Sequence, residues 1–282
     1  MTIIERAALT DSVVHAPINY LGDMTERPKF HAQERSRDNL RFNTQVMAIS
    51  DARTWSEAPS LEREGVALVS HKTAVKDFYD PDQRAGLYLD EVERLIKEVT
   101  GAPQVHVLRG GGMIRYAKRS PHYKTGVNTQ TAHFPHIDFT QATAPGLADS
   151  TFGSGKIELR PGQRLIGYNI WRVVSDPPQD IPLAVCDART IERQDLMAAD
   201  GVYDAGPPPW MELEAYAIRH NPRHRWLYFR DMRPDEALIF RAYDNLPDFR
   251  PGTAHSAFDD PTCPDDAPAR VSIEARAFAI FD

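Results

Sequence analysis

The sequence has little cysteine and no long hydrophobic run. Its two cysteines, Cys186 and Cys263, are too few for a disulfide framework, and neither lies in a metal-ligand spacing. No apolar stretch approaches the roughly 18 residues that a membrane-spanning helix needs. The N-terminal stretch MTIIERAALTDSVVHAP lacks both a basic region and a long apolar region, so we expect no signal peptide. These features predict a cytoplasmic protein with two free thiols and no membrane partner.

The sequence also has fewer basic than acidic residues. Lysine and arginine number 33 against 40 aspartates and glutamates, which gives a formal net charge of −7. A nucleic-acid-binding protein needs a basic face, so this balance argues against a nucleic-acid partner. The triple glycine at 110–112 lacks the Lys-Ser/Thr and the helix of a phosphate loop, and no Gly-x-Ser-x-Gly elbow is present. A small molecule is the expected partner.

The N-terminal hundred residues have a mixed pattern with one long predicted helix. GVALVSH (65–71) alternates like a strand, whereas 85–102 spaces Leu89, Val92, Leu95, Ile96 and Val99 at helical intervals. Gly101 follows as the predicted C-cap. We expect this helix to pack on the outside of the domain.

Residues 104–116 are predicted to form two strand pieces around the three glycines, and from about residue 130 onward the pattern becomes β-rich, with proline, glycine, aspartate or asparagine between the segments. Strands are predicted within 104–116, 164–174, 181–188, 213–220, 225–231, 236–244 and 269–281. Many short strands with turn signals favour a jelly roll or a sandwich over βαβ units. The predicted organisation is a single domain over 1–282, with a mixed N-terminal part (1–102) and a jelly-roll core (103–282).

The stretch TAHFPHIDFTQ (131–141) carries a candidate metal site. In a strand, residues i and i+2 face the same side, so His136 and Asp138 present an imidazole and a carboxylate together. His255, after the strand DEALIF, is the predicted third ligand, and His224 is the alternative in what is expected to be an exposed turn. Two histidines and one carboxylate are the ligand set of non-haem Fe(II) oxygenases. His133 would face the opposite side and is expected to be structural.

A cluster of cationic and hydroxyl side chains on the last strand suits a 2-oxoglutarate co-substrate. Arg270 and Ser272 share one strand face with Arg276. An arginine fork binds a carboxylate in a bidentate way, so Arg270 is the predicted clamp for the distal carboxylate, helped by Ser272. Arg276 is the second candidate, although it could pair instead with Glu274 or Glu236.

The candidate substrate contacts are Trp171, Arg172 and Tyr116. Trp171 and Arg172 point to opposite faces of one strand, so only one of them can line a cavity. Core packing is an equally good interpretation of Trp171. Tyr116 and Arg115 follow the triple glycine and are candidates for the mouth of the site.

Successive blocks of the chain resemble one family. They are HIDFT, YNIWRVVSDPPQDIPLAVCDART, HRWLYFRDMRPDEALIFRAYDN, AHSAFDDP and DAPARVSIEAR. The resemblance, from about residue 60 to 282, is to the Fe(II)/2-oxoglutarate-dependent oxygenase-like family of fungal gibberellin desaturase, a cephamycin-cluster methoxylation component and meroterpenoid endoperoxide-forming enzymes. The last block of the family usually reads Arg-Glu-Ser-Ile-Glu-x-Arg, and Val271 departs from it. Asn169 and Arg172 fit the family pattern around Trp171.

The resemblance implies a double-stranded β-helix (jelly roll) with flanking α-helices. It further implies iron bound by His136, Asp138 and His255, with 2-oxoglutarate and dioxygen as co-substrates and a small secondary metabolite as substrate. Hydroxylation, desaturation and cyclisation all remain open as outcomes.

Two other functions also remain open: a cupin-like metalloenzyme that does not use 2-oxoglutarate, and a non-catalytic jelly-roll binding protein. A homodimer is compatible with the long N-terminal segment.

Overall fold

The computed structural model describes residues 12–110, 112–124, 129–152, 158–246 and 251–282. Most of the stretch used to argue against a signal peptide, and Gly111 of the triple glycine, lie outside these ranges. The described chain is mainly β, with helices flanking the sheets, as predicted. In order, the strands are β1 Val13–Leu21, β2 Lys29–His31, β3 Phe42–Asp51, β4 Val66–Ser70, β5 Gln104–Val107, β6 Met113–Tyr116, β7 His136–Ile137, β8 Arg164–Val173, β9 Leu183–Cys186, β10 Leu196–Tyr203, β11 Met211–Ile218, β12 Trp226–Tyr228, β13 Glu236–Asp244, β14 His255–Ala257 and β15 Val271–Phe281.

Helices connect and cover these strands. The α-helices are α1 Pro81–Gln83, α2 Leu89–Thr100 and α3 Ala144–Phe152, and a π-helical turn, Arg84–Tyr88, joins α1 to α2. Short 3-10 helices span Arg35–Arg37, Ala52–Thr54, Ala188–Thr190 and Arg193–Asp195. The long predicted helix is confirmed as α2 with the turns before it, and Gly101 ends it at φ 70°, a left-handed conformation that glycine adopts without strain.

Two sheets make up the β structure. The larger has nine strands in the order β1-β3-β12-β9-β14-β7-β11-β10-β2. The smaller has the order β4-β13-β8-β15-β5, and β6 also pairs with β15. The N-terminal strands β1 and β3 thus belong to the same hydrogen-bonded sheet as β7 and β14, so the division at residue 102 is not a division of the sheets.

The six-stranded sheet is covered on its outer face by α2. Leu89, Val92, Leu95 and Ile96 are buried and pack in one apolar cluster with β15. Val99 was predicted to belong to this stripe but is 36% exposed. On β15 the odd-numbered residues from 273 to 279 lie in that cluster. Because side chains alternate along a strand, the even-numbered residues face the other sheet, and Glu274 and Arg276 of that set line a cavity.

Candidate metal centre and its cavity

Two neighbouring strands bring the predicted histidines together. His136 in β7 and His255 in β14 are direct partners across an antiparallel pair, the position in which two side chains on one face come closest. Their ring centroids lie 4.2 Å apart. Asp138 follows two residues after His136, and its Oδ1 is 3.6 Å from His136 Nε2. One ligand atom from each of the three residues lies within 4.8 Å of the other two.

Backbone carbonyl groups orient both imidazoles. His136 Nδ1 lies 2.9 Å from the carbonyl oxygen of Phe134, and His255 Nδ1 lies 3.3 Å from that of Thr253. A carbonyl oxygen only accepts, so each Nδ1 carries the proton and donates. Each Nε2 then keeps its lone pair for a metal ion, which is the usual way in which a second partner sets the ligating nitrogen.

The third ligand is held by the opposite sheet. Asp138 Oδ2 accepts hydrogen bonds from Asn169 Nδ2 (2.7 Å) and from Arg276 Nε (2.8 Å). Asn169 in β8 and Arg276 in β15 are themselves cross-strand partners. With Oδ2 occupied in this way, Oδ1 is the oxygen that faces the histidines. Arg276 also donates to Glu274 Oε1 at 3.3 Å. It therefore pairs both with the carboxylate of Asp138 and with Glu274, and pairing with Glu274 was the alternative to 2-oxoglutarate binding that the sequence left open.

The charges of the site favour the ligand forms of all three residues. Burial and the adjacent His136 lower the pKa of His255 to about 4, and burial lowers the pKa of His136 as well. Burial opposes ionisation of Asp138, but Arg276 and the two histidines hold the pKa of this carboxyl well below its usual range. At neutral pH the site therefore offers two neutral imidazoles and one carboxylate, which is the protonation state that a metal ion requires.

Loss of the hydrogen bond from Asn169 should weaken metal binding. We expect Asn169→Ala to lower the Fe(II) affinity by about 10- to 100-fold, because the second partner of a ligating carboxylate fixes its orientation. The measurement is anaerobic Fe(II) titration with inductively coupled plasma mass spectrometry of the retained metal. Asn245→Ala is the matched control, since Asn245 hydrogen-bonds to Leu165 at the far end of the same strand. Equal affinities in the two variants would contradict the role of Asn169.

The buried histidines should make the metal-free protein acid-sensitive. A histidine whose folded pKa is depressed takes up its proton mainly on unfolding, so the unfolded state binds more protons once the pH falls below about 6.5. Stability should therefore drop between pH 6.5 and 4, by on the order of 3 kcal/mol for His255 alone. Urea unfolding at fixed pH values measures this. His255→Gln should flatten the profile, whereas His15→Gln, on the exposed side of β1, should not.

Arg270 and Ser272 carry buried polar atoms without a hydrogen-bond partner among the described residues, and Arg270 lines the same cavity as the candidate ligands. Arg270 is 2% exposed, and its Nε has no hydrogen-bond partner among the described residues; the same holds for Ser272 Oγ, which is fully buried. The guanidinium carbon of Arg270 lies 5.5 Å from the ring centroid of Trp171. Burial lowers the pKa of Arg270 to about 10. A buried cation of this kind requires an anion, and a carboxylate of 2-oxoglutarate fits that requirement.

The structure separates the three candidate substrate contacts. Trp171 lines the cavity and also packs in an apolar cluster. Arg172 lies on the other face of β8, where it contacts His71 and its guanidinium carbon is 5.8 Å from the Tyr88 ring. Tyr116 stacks on Tyr79 outside the cavity lining. Of the three candidates, Trp171 is therefore the one that lines the cavity, while Arg172 and Tyr116 lie outside its lining. Both faces of β8 are buried, so alternation alone did not identify the inner face.

The remaining histidines lie away from the metal ligands. His224 Nε2 is 3.1 Å from Asp195 Oδ2, and its Nδ1 is 3.2 Å from the hydroxyl of Tyr20. This histidine is buried, not in the exposed turn that the sequence predicted. His133 contacts Thr131 Oγ1 and does not line the cavity, in keeping with a structural role.

Sequence reasoning missed Glu274 and Arg35 as residues that line the same cavity, whereas Arg115, a candidate for its mouth, does line it. Glu274 and Arg115 form an ion pair of 2.6 Å, and Arg35 reaches the cavity from the N-terminal part. Burial opposes ionisation of Glu274, but Arg115 and Arg276 hold its pKa at about 2. The free volume inside the cavity is about 80 Å³. Alternation on β15 could have indicated Glu274, whereas no local signal pointed to Arg35.

The comparisons with known proteins agree with this geometry. A family model described as an oxidoreductase/YMDC permease-like domain matches residues 18–280. An oxidoreductase of Cochliobolus lunatus, clz16, is 30% identical over 251 residues, which is 83% of this chain and 84% of that protein. The chain belongs to this oxidoreductase family. Family membership confirms that it is an oxidoreductase.

Other members of the family have more specific names. The hydroxylase/desaturase efuI of Hormonema carpetanum is 28% identical over 98% of both chains. The Fe(II)/2-oxoglutarate-dependent dioxygenase nvfI of Aspergillus novofumigatus is 28% identical over 86% of this chain and 85% of that protein. A solved structure of the iron and α-ketoglutarate-dependent endoperoxidase NvfI superposes with a TM-score of 0.84 at 24% identity, covering 96% and 99% of the two chains. The predicted oxygenase family and jelly-roll fold are confirmed.

Two further observations concern membrane-spanning helices and cysteines. None of the helices in the described parts of the chain is long and apolar enough to cross a membrane. Cys186 and Cys263 are both free, as predicted, and Cys186 is buried.

Proposed function

We propose that this protein is a non-haem Fe(II)/2-oxoglutarate-dependent oxygenase that acts on a small secondary metabolite. The convergence of His136, Asp138 and His255 on one point of a cavity is the observation that carries the proposal. Three protein ligands are too few for an octahedral ion, so further positions are available to a co-substrate. The names of the relatives nvfI and efuI support the same chemistry.

Iron and 2-oxoglutarate fit the residues of the site. His136 and His255 would ligate through Nε2 and Asp138 through Oδ1, while Asn169 and Arg276 hold the other carboxylate oxygen. When bound, the ferrous ion and the 2-oxo acid supply the activation of dioxygen that removes a hydrogen atom from a substrate carbon. The protein supplies the orientation of the ligands and a cavity of defined shape.

Arg270 is assigned to the distal carboxylate of 2-oxoglutarate, with Ser272 as a second donor. Both groups have buried polar atoms that await an acceptor, and Arg270 lines the cavity. Trp171 packs beside the guanidinium, so it would hold this side chain in place while presenting its ring to the cavity. Arg276 is not assigned to the co-substrate, because Asp138 occupies its Nε.

The test is an anaerobic titration of Fe(II) and then 2-oxoglutarate into the metal-free protein. A weak charge-transfer band at about 500 nm is expected when a 2-oxo acid chelates ferrous iron. Metal binding without the band would favour a cupin-like metalloenzyme that uses no 2-oxo acid. Failure to retain any divalent metal would favour a non-catalytic binding protein.

A cytoplasmic location and a homodimer are part of the same proposal. The two free cysteines are compatible with a reducing compartment. For the dimer the support is the long N-terminal segment, which could pack across a two-fold axis. Size-exclusion chromatography with light scattering tests the dimer, and cell fractionation tests the location.

A further inference from the structure

The cavity contains more positive charge than its carboxylates neutralise. Its described lining includes four arginines and two carboxylates: Arg35, Arg115, Arg270 and Arg276 with Asp138 and Glu274. A divalent cation and a doubly charged 2-oxoglutarate would cancel each other. The loaded cavity would therefore retain an excess of two positive charges before any substrate enters, and a desolvated excess of this kind attracts an anion.

Contacts within the cavity identify which arginines already have partners. Arg115 pairs with Glu274 at 2.6 Å, and Arg276 pairs with Asp138 at 2.8 Å. Arg270 is the residue assigned above to the distal carboxylate of 2-oxoglutarate. The remaining cation of this lining is Arg35.

Within the described part of the chain, the carboxylate paired with Arg35 is that of Asp38, and this ion pair is long. Arg35 Nη1 is 3.8 Å from Asp38 Oδ2, beyond hydrogen-bond distance, while Oδ1 of Asp38 accepts a 2.6 Å hydrogen bond from the backbone N–H of His31. Burial lowers the pKa of Arg35 despite Asp38, and the nearby Arg115 lowers it further. The guanidinium is therefore a partly desolvated cation that Asp38 compensates only in part.

Aromatic and aliphatic side chains form part of the cavity wall beside Arg35. The guanidinium carbon of Arg35 lies 5.9 Å from the ring centroid of Phe134. The ring centroids of Phe134 and Phe30 are 5.5 Å apart. Both phenylalanines, Leu213 and Ala215 line the cavity. This combination of one cation with an apolar wall suits a ligand that has one anionic end and an apolar body.

We propose that the substrate is an amphipathic carboxylic acid whose carboxylate binds Arg35 and whose apolar body lies against Phe30 and Phe134. The planar guanidinium matches a carboxylate in bidentate geometry. This assignment rests on the proposed function, because it places 2-oxoglutarate at Arg270 and leaves Arg35 to the substrate.

The experiment compares an acid with its neutral amide. Isothermal titration calorimetry is run anaerobically on protein loaded with Fe(II) and saturating 2-oxoglutarate, with 1-naphthaleneacetate and 1-naphthaleneacetamide as probes. The two probes share one apolar body, and the amide replaces the carboxylate by a neutral group in which an NH2 donor takes the place of one acceptor oxygen. We expect the acid to bind about tenfold tighter or more than the amide, the usual effect of a charge-assisted hydrogen bond.

Variants assign that preference to a residue. Arg35→Gln should remove the preference for the acid and leave binding of the amide unchanged, whereas Arg35→Lys should retain part of it. Arg37→Gln is the matched control: Arg37 lies two residues on in the same 3-10 helix, but its guanidinium carbon lies 4.4 Å from the Trp210 ring and it pairs with Asp204. That variant should bind both probes as the wild type does.

Three outcomes would overturn the inference: equal binding of the two probes, an acid preference that survives Arg35→Gln, or loss of the 2-oxoglutarate charge-transfer band when the acid is added. The last would mean that the acid competes for Arg270. None of these results removes the proposed function, which depends on the appearance of the band before any probe is added. If the band never forms, the proposed function fails and the assignment of Arg35 fails with it.

Discussion

Replacement of Asp138 by alanine is expected to abolish turnover and to strip the protein of iron. The variant would remove the single anionic ligand and leave Asn169 Nδ2 and Arg276 Nε without their acceptor in a buried site. We expect Asp138→Ala and His136→Ala each to lose on the order of 10³-fold or more in activity. Substrate-independent formation of succinate from 2-oxoglutarate provides the assay before the substrate is identified.

Two controls separate loss of the metal from loss of the fold. Asp138→Asn keeps the size of the side chain while removing its charge, so circular dichroism should show a folded variant. Its affinity for Fe(II) should nevertheless be much lower than that of the wild type. His15→Ala, on the exposed side of β1, should behave as the wild type in metal content and succinate formation. Retained activity in Asp138→Ala would rule out Asp138 as a ligand.

Replacement of Arg270 by alanine is expected to affect 2-oxoglutarate and not iron. Removing one charge-assisted carboxylate contact should raise the KM for 2-oxoglutarate about 10- to 100-fold. The Fe(II) affinity should stay near that of the wild type, since the ligand carboxylate of Asp138 contacts Arg276 and not Arg270. Stepwise anaerobic titrations report the two affinities separately.

The accompanying variants distinguish charge from geometry at this position. Arg270→Lys keeps the charge but loses the planar fork, so it should recover only part of the affinity for 2-oxoglutarate. Ser272→Ala should cost less than Arg270→Ala, because it removes one neutral donor. Arg160→Ala, which breaks an exposed pair with Asp282, should change neither affinity. A variant of Arg270 that lost iron instead of 2-oxoglutarate would refute the role assigned to it.

Local sequence pattern was sufficient to predict which three candidate ligands the fold brings together. Strand alternation places His136 and Asp138 on one face wherever the strand lies in the fold. His255 was identified because it follows a recognisable strand, and the two histidines meet across β7 and β14. The helix α2 was predicted from the sequence for the same reason, since its buried apolar residues recur at the spacing of an α-helix.

Strands with weak patterns were missed. β1 contains Pro17 and reads poorly as a strand, but it lies at the end of the nine-stranded sheet, where a proline is tolerated because its missing N–H is not needed. β10 combines small and polar residues and lacks a clear alternation. In both cases pairing with neighbouring strands decided the conformation, and the local propensity did not.

The sequence by itself determined the ligand types, their order along the chain and the alternation that sets His136 beside Asp138. Only the tertiary structure decided which face of β8 lines the cavity, because both faces of its sheet are buried. It also decided the partners of Asp138, since Asn169 and Arg276 lie on strands far apart in sequence that become neighbours only in the folded sheet. Arg35 enters the same cavity from a third segment, and contacts between distant segments leave no periodic signal in the sequence.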